Sequence, residues 1–322
     1  MCDKEEPCVV EDVADFIKLY SDGSVVRGAE PPLLSPADEY NFVPFKDIVF
    51  DPKLGLWARV YLLPETKTRV PVLLFFHGGG FCVLTAASPI YHYMCQKWAA
   101  TLGVIIVSVN YRLSPEHRLP AAYHDAIAAL HWIDSMKTEL GGGGGEAKTG
   151  AVEVDPWFHS HADFRNVFVA GESAGGNIAH HLGIISAAKV EIKLKGVILM
   201  YPFFGGEERN PSEISHALPY FNVDMTDTMW RLALPLGSNK DHPFCNPLVE
   251  TSAGSLVLPP MLFLIGGRDI LKDKQLQYCE FLKGCGKQIQ VRVFEEEGHG
   301  FAVMKMEEAL RCISDFIKME IQ

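Results

Sequence analysis

Apolar residues follow two rhythms along this chain. The runs at 72–76 and 104–109 are almost wholly apolar and predict strands buried on both faces. Further strands are expected at 166–170, 196–201, 261–265 and 289–294. Between them, residues 89–102, 121–136, 174–188, 273–284 and 304–318 read as helices. In the last of these, Met306, Ala309, Leu310, Ile313, Phe316 and Ile317 form one apolar stripe. Strands alternating with helices imply an α/β fold with a largely parallel sheet covered on both faces. Upstream, 47–50 and 56–62 flank a turn with Pro52 and Gly55 and read as an antiparallel hairpin. Earlier still, Val10, Val13, Phe16, Ile17 and Tyr20 fall at helical spacing and predict a short amphipathic helix over 9–20, ended by Ser21-Asp22-Gly23-Ser24. Residues 202–260 break the rhythm with prolines and aromatics, and read as an insertion over the sheet.

Composition narrows this picture. With 322 residues and 48% hydrophobic content the chain can bury a large core. A net charge of −11 disfavours nucleic acid and anionic membranes as partners. No run of about 18 apolar residues predicts a membrane span. The acidic start, Met1-Cys2-Asp3-Lys4-Glu5-Glu6, lacks the apolar stretch of a secretory signal. Eight scattered cysteines without a C-x-x-C pair read as reduced thiols of a cytoplasmic protein. The glycine run 141–145 reads as a surface loop, because no Lys-Ser/Thr follows at phosphate-loop spacing.

The chemistry starts at Gly171-Glu172-Ser173-Ala174-Gly175, which joins an apolar run to a helical segment. In that context Gly-x-Ser-x-Gly is a nucleophile elbow, with Ser173 at its tip. A serine hydroxyl needs a base. His299, in Glu297-Gly298-His299-Gly300-Phe301, lies after a strand and before the last helix. Asp269, in Gly266-Gly267-Arg268-Asp269, follows the 261–265 strand and can orient that imidazole. Asp273 is the rival acid and reads as the cap of helix 273–284. The glycines of His77-Gly78-Gly79-Gly80-Phe81 follow the 72–76 strand. They allow backbone N–H groups to approach an oxyanion, with Ala174 N–H as partner. His77 reads as a brace for that loop. Cys82 reads as a small apolar residue. His92, His124, His131, His159, His161, His216 and His242 form no metal-ligand set, and no cofactor is expected.

Three motifs together resemble the plant carboxylesterases of the hormone-sensitive-lipase group. They are His77 to Cys82, Tyr111-Arg112-Leu113-Ser114-Pro115-Glu116-His117-Arg118-Leu119-Pro120-Ala121-Ala122, and Gly171 to Asn177. The resemblance covers about residues 9–318. It implies a single α/β-hydrolase domain, 1–322, with a cap from about 1–40 and 203–246. It also implies Ser173 as nucleophile, Asp269 as acid and His299 as base, with Gly78, Gly79 and Ala174 as oxyanion donors. The stretch Pro202 to Arg209 looks like the branch that includes strigolactone-degrading esterases. The expected partner is a small, mostly hydrophobic ester, admitted past Phe203, Phe204, Phe221, Met225, Met229 and Trp230. Relatives on this scaffold that act as lyases or cyclases supply an alternative. The gibberellin receptors supply another, although they lack the histidine found here at His299. Nothing in the sequence marks a dimer surface.

Overall fold

The computed structural model describes residues 6–14, 16–28, 43–63, 68–141, 155–189, 193–216, 221–249 and 254–322. The chain opens with β1 (Val9–Val13), β2 (Ile17–Tyr20) and β3 (Val25–Arg27), an antiparallel three-stranded sheet. The helix expected over 9–20 is therefore a hairpin. Ala14 at φ 46° breaks any helix there. Val13 and Ile17 then pair across the turn, both buried. Gly23, at φ 84°, makes the next turn. Two ion pairs fasten this sheet to the body, Glu11 with Arg231 at 2.8 Å and Arg27 with Glu116 at 2.7 Å.

The main sheet begins with the hairpin β4 (Phe45–Asp51) and β5 (Leu56–Tyr61), where the sequence places it. There follow β6 (Val70–Phe76), α1 (Pro89–Leu102), β7 (Ile105–Asn110), α2 (Ala121–Gly141), α3 (Pro156–His161), β8 (Ala162–Glu172), α4 (Ala174–Lys189) and β9 (Gly196–Met200). The insertion carries α5 (Pro211–Ser215) and α6 (Val223–Ala233), with α6 packed on β1. The chain closes with β10 (Met261–Gly266), α7 (Lys272–Gly284), β11 (Ile289–Phe294), α8 (Phe301–Met304) and α9 (Met306–Ile321). The last helix expected from sequence is thus two, parted at Lys305, whose φ −103° and ψ 36° interrupt it. The glycine run beyond 141, part of the N-terminal cap expectation (1–5, 15 and 29–40) and 217–220 lie outside the described residues.

Among the described residues, eight strands order as β11-β10-β9-β8-β6-β7-β5-β4, parallel from β11 to β7 and antiparallel at the β5 and β4 end. Period-two alternation splits each central strand between two cores. Val72, Leu74 and Phe76 of β6 belong to the core on the face covered by α2, α4 and α7. Leu73 and Phe75 face α1 and the apolar stripe of α9. The order turns back at β6, whose neighbours β7 and β8 lie on opposite sides of it. Ligands bind at such a switch point, outside the carboxyl ends of the strands. Here those ends are Phe76 and Gly171, aligned in register. The glycine loop and the elbow therefore emerge side by side. No helix among the described residues is long and apolar enough to cross a membrane.

Candidate active site

Ser173 sits between β8 and α4 at φ 51°, a left-handed conformation that non-glycine residues rarely adopt. The residues two before and two after it must be glycine. A Cβ on Gly171 would lie 2.1 Å from Gly175 O, and one on Gly175 would lie 2.0 Å from Phe76 O. Backbone bonds lock the turn, with Ser173 N–H donating to Met200 O at 3.0 Å and Phe203 N–H to Ser173 O at 2.8 Å.

The loops after β10 and β11 bring the other two groups. His299 Nε2 lies 2.9 Å from Ser173 Oγ, and its Nδ1 lies 2.8 Å from Asp269 Oδ2. With the proton on Nδ1, the ring donates to Asp269 and can accept the serine proton. Asp269 is buried, and its Oδ1 accepts from Leu271 N–H at 2.9 Å. Phe221 stacks on the imidazole at 3.9 Å between centroids, and Tyr201 meets it edge-on at 5.0 Å. The rival acid Asp273 is elsewhere, accepting from Ser212 N–H at 2.8 Å. It is not the cap expected of it: α7 starts after Leu271 with no side-chain cap.

The amides of the glycine loop are not alike. Gly78 N–H donates to Tyr91 Oη at 3.0 Å, so this amide is already committed. The N–H groups of Gly79, Gly80 and Ala174 donate to no group among the described residues. Gly79 and Gly80 take φ 99° and 58°, and a Cβ on Gly80 would strike Met229 Sδ. The uncommitted amides are thus those of Gly79, Gly80 and Ala174, and not that of Gly78. His77 braces the loop through Nδ1 to Gly78 O at 2.8 Å and by stacking on Tyr111 at 4.2 Å. Cys82 is buried, and burial pushes its thiol up to about 12, which leaves it protonated and inert.

A cavity of about 160 Å³ opens over Ser173, lined by Phe16, Leu84, Phe203, Phe221, Met225 and Met229 among others. Phe204 and Trp230 do not reach it. Phe204 packs edge-on against His180 and Tyr278, and Trp230 stacks behind Phe203 at 4.5 Å. Phe16 reaches the cavity from the tip of the N-terminal hairpin, a position that a helix over 9–20 does not give it. Among the described residues no group of three or more His, Cys, Asp or Glu could hold a metal.

Burial holds His77, His180 and His181 neutral. His77 and His181 are lowered to about 4 and His180 to about 3. An unfolded chain would protonate them near 6.5. Below that pH it binds more protons than the fold, so stability is full above 6.5 and falls as the pH drops toward 4. Melting at pH 5 is expected several degrees below that at pH 7.5, and His180→Gln, which cannot charge, should narrow the difference. Equal pH dependence in the variant, read by scanning fluorimetry, would contradict this.

A family model described as alpha/beta hydrolase fold matches residues 73–303. Probable carboxylesterase 6 of Arabidopsis thaliana is 33% identical over 307 residues, 92% of this chain and 85% of that protein. Gibberellin receptor GID1C of the same plant is 33% identical over 298 residues, 86% of this chain and 81% of that one. Among solved structures, a Pyrobaculum calidifontis esterase superposes with a TM-score of 0.70 at 27% identity, covering 85% of this chain and 84% of its own.

Proposed function

From the premise that the chain belongs to the α/β-hydrolase family, among the plant carboxylesterases of the hormone-sensitive-lipase group, we propose that it hydrolyses small, neutral, mostly hydrophobic carboxylic esters. The observation that carries this is the hydrogen-bonded row Ser173, His299, Asp269 beside three uncommitted N–H groups in an apolar cavity. Ser173 Oγ attacks the ester carbonyl while His299 Nε2 takes its proton. Asp269 stabilises the imidazolium. The tetrahedral oxyanion is held by the N–H groups of Gly79, Gly80 and Ala174, each worth about 3 kcal/mol in the transition state. His299 then protonates the leaving alcohol, and water repeats the cycle on the acyl-enzyme. The sheet of β1 to β3 together with α6 serves as the cap that selects the ester.

The row of groups supports this reading over that of a hormone receptor, which needs ligand binding without turnover. The finer reading, a plant hormone or specialised metabolite such as a strigolactone, rests on the stretch Pro202 to Arg209. Within it Phe203 faces the cavity, whereas Arg209 pairs with Glu213 and Asp227. No Lys or Arg is among the described residues that line the cavity. An anionic ester would therefore bury an unpaired charge. We expect p-nitrophenyl butyrate to be turned over at least about 30-fold more efficiently than mono-p-nitrophenyl succinate. Equal kcat/KM for the two would rule out a neutral-ester site.

A further inference from the structure

Glu172 takes no part in the steps above, yet its carboxylate is bonded to two phenols that reach the glycine loop and the His299 ring. It ends β8, immediately before Ser173, and is only 6% exposed. No cation pairs with it among the described residues. Both its carboxyl oxygens instead accept from phenols. Tyr91 Oη–H donates to Oε1, and Tyr201 Oη–H donates to Oε2 at 2.5 Å. A buried carboxyl is costly unless its oxygens are satisfied, and two phenols satisfy this one.

Each phenol leads to a different half of the site. Tyr91 Oη also accepts Gly78 N–H, and so fixes the residue that precedes the donors Gly79 and Gly80. The loop is seated directly on this pair: a Cβ on Gly78 would lie 2.9 Å from both Glu172 Oε1 and Tyr91 Oη. Tyr201 stands edge-on to the His299 ring and packs on Phe301 at 5.1 Å. It is itself held at φ 35°, a strained conformation at the end of β9.

We propose that Glu172 is a positioning residue that ties the oxyanion loop, through Tyr91, and the base loop, through Tyr201, to the turn that carries the nucleophile. The proposal rests on the esterase reading of Ser173. Oxyanion donors act only when they are fixed within about half an ångström of the developing charge. Loosening the clamp therefore harms the transition state more than substrate binding.

Glu172→Gln replaces one acceptor oxygen with a donor, so one phenol loses its partner. Tyr91→Phe leaves Gly78 N–H without its acceptor. On p-nitrophenyl butyrate each variant should lose about 10- to 100-fold in kcat with KM within about twofold of the parent. The inhibition constant of a trifluoromethyl ketone, which forms a tetrahedral adduct on the serine, should rise in the same ratio as kcat falls. The double variant should be no worse than the weaker single, because both act through one element. Parental kcat in either folded variant, a change confined to KM, or losses that multiply in the double would each overturn the clamp. Ser173→Ala, measured in the same series, keeps the two claims apart. If it retains activity the esterase reading fails, whereas an inactive Ser173→Ala beside fully active clamp variants sinks only this proposal.

Discussion

Ser173→Ala is expected to lower kcat/KM on p-nitrophenyl butyrate by about 10⁴-fold or more, with the protein still folded. Among the described residues the hydroxyl bonds only His299, so its loss removes the nucleophile and no bond that holds the turn. The elbow is fixed by backbone bonds to Met200 and Phe203 and by the close approach of Gly175 to Phe76, all of which alanine keeps. Alanine inherits the same backbone strain at φ 51°, so the melting temperature should stay close to the parent's. The residual rate comes from the three N–H donors, which remain. An elimination or cyclisation on the same scaffold would need His299 but no covalent serine. Substantial turnover in this variant would therefore move the assignment to that chemistry.

Asp269→Asn should cost about 10³- to 10⁴-fold in kcat near neutral pH. Oδ1 is bound by Leu271 N–H, so an asparagine places its oxygen there and its amide nitrogen toward His299. Two donors then face each other at 2.8 Å, and the imidazole must move its proton to Nε2. In that tautomer Nε2 donates toward Ser173 and cannot accept its proton. Asp273→Asn is the matched control. Its carboxylate accepts from Ser212 N–H and touches neither His299 nor Ser173, so kcat should stay within about twofold. Equal losses in the two variants, measured by steady-state kinetics, would mean that the acid has been misassigned.

Much of this arrangement was legible in the sequence because it is enforced by sterics. The runs at 72–76 and 196–201 have no polar face to offer solvent, and both lie inside the sheet. The glycines of the elbow are required by contacts of about 2 Å, and the histidine and aspartate loops follow the strands that aim them. What escaped depends on residues far apart in the chain. Which amide of the glycine loop stays uncommitted is decided by Tyr91, 13 residues on in α1. Val9 to Tyr20 carries apolar residues that suit both a helix and a hairpin. Pairing with β3 and the positive φ of Ala14 choose the hairpin. Phe204 and Trp230 have the composition of cavity walls, yet Trp230 stacks behind Phe203 and Phe204 packs against His180 and Tyr278. The Gly-x-Ser-x-Gly pattern assigns nothing to Glu172, because its two phenols come from α1 and from the end of β9.

The most direct test of the central claim is intact-mass spectrometry after treatment with a p-nitrophenyl phosphonate, followed by peptide mapping. One phosphonyl group per chain on Ser173, absent in Ser173→Ala and formed far more slowly in His299→Ala, is the predicted result. A chain that hydrolyses esters yet takes up no label at Ser173, or carries it on another residue, would contradict the account.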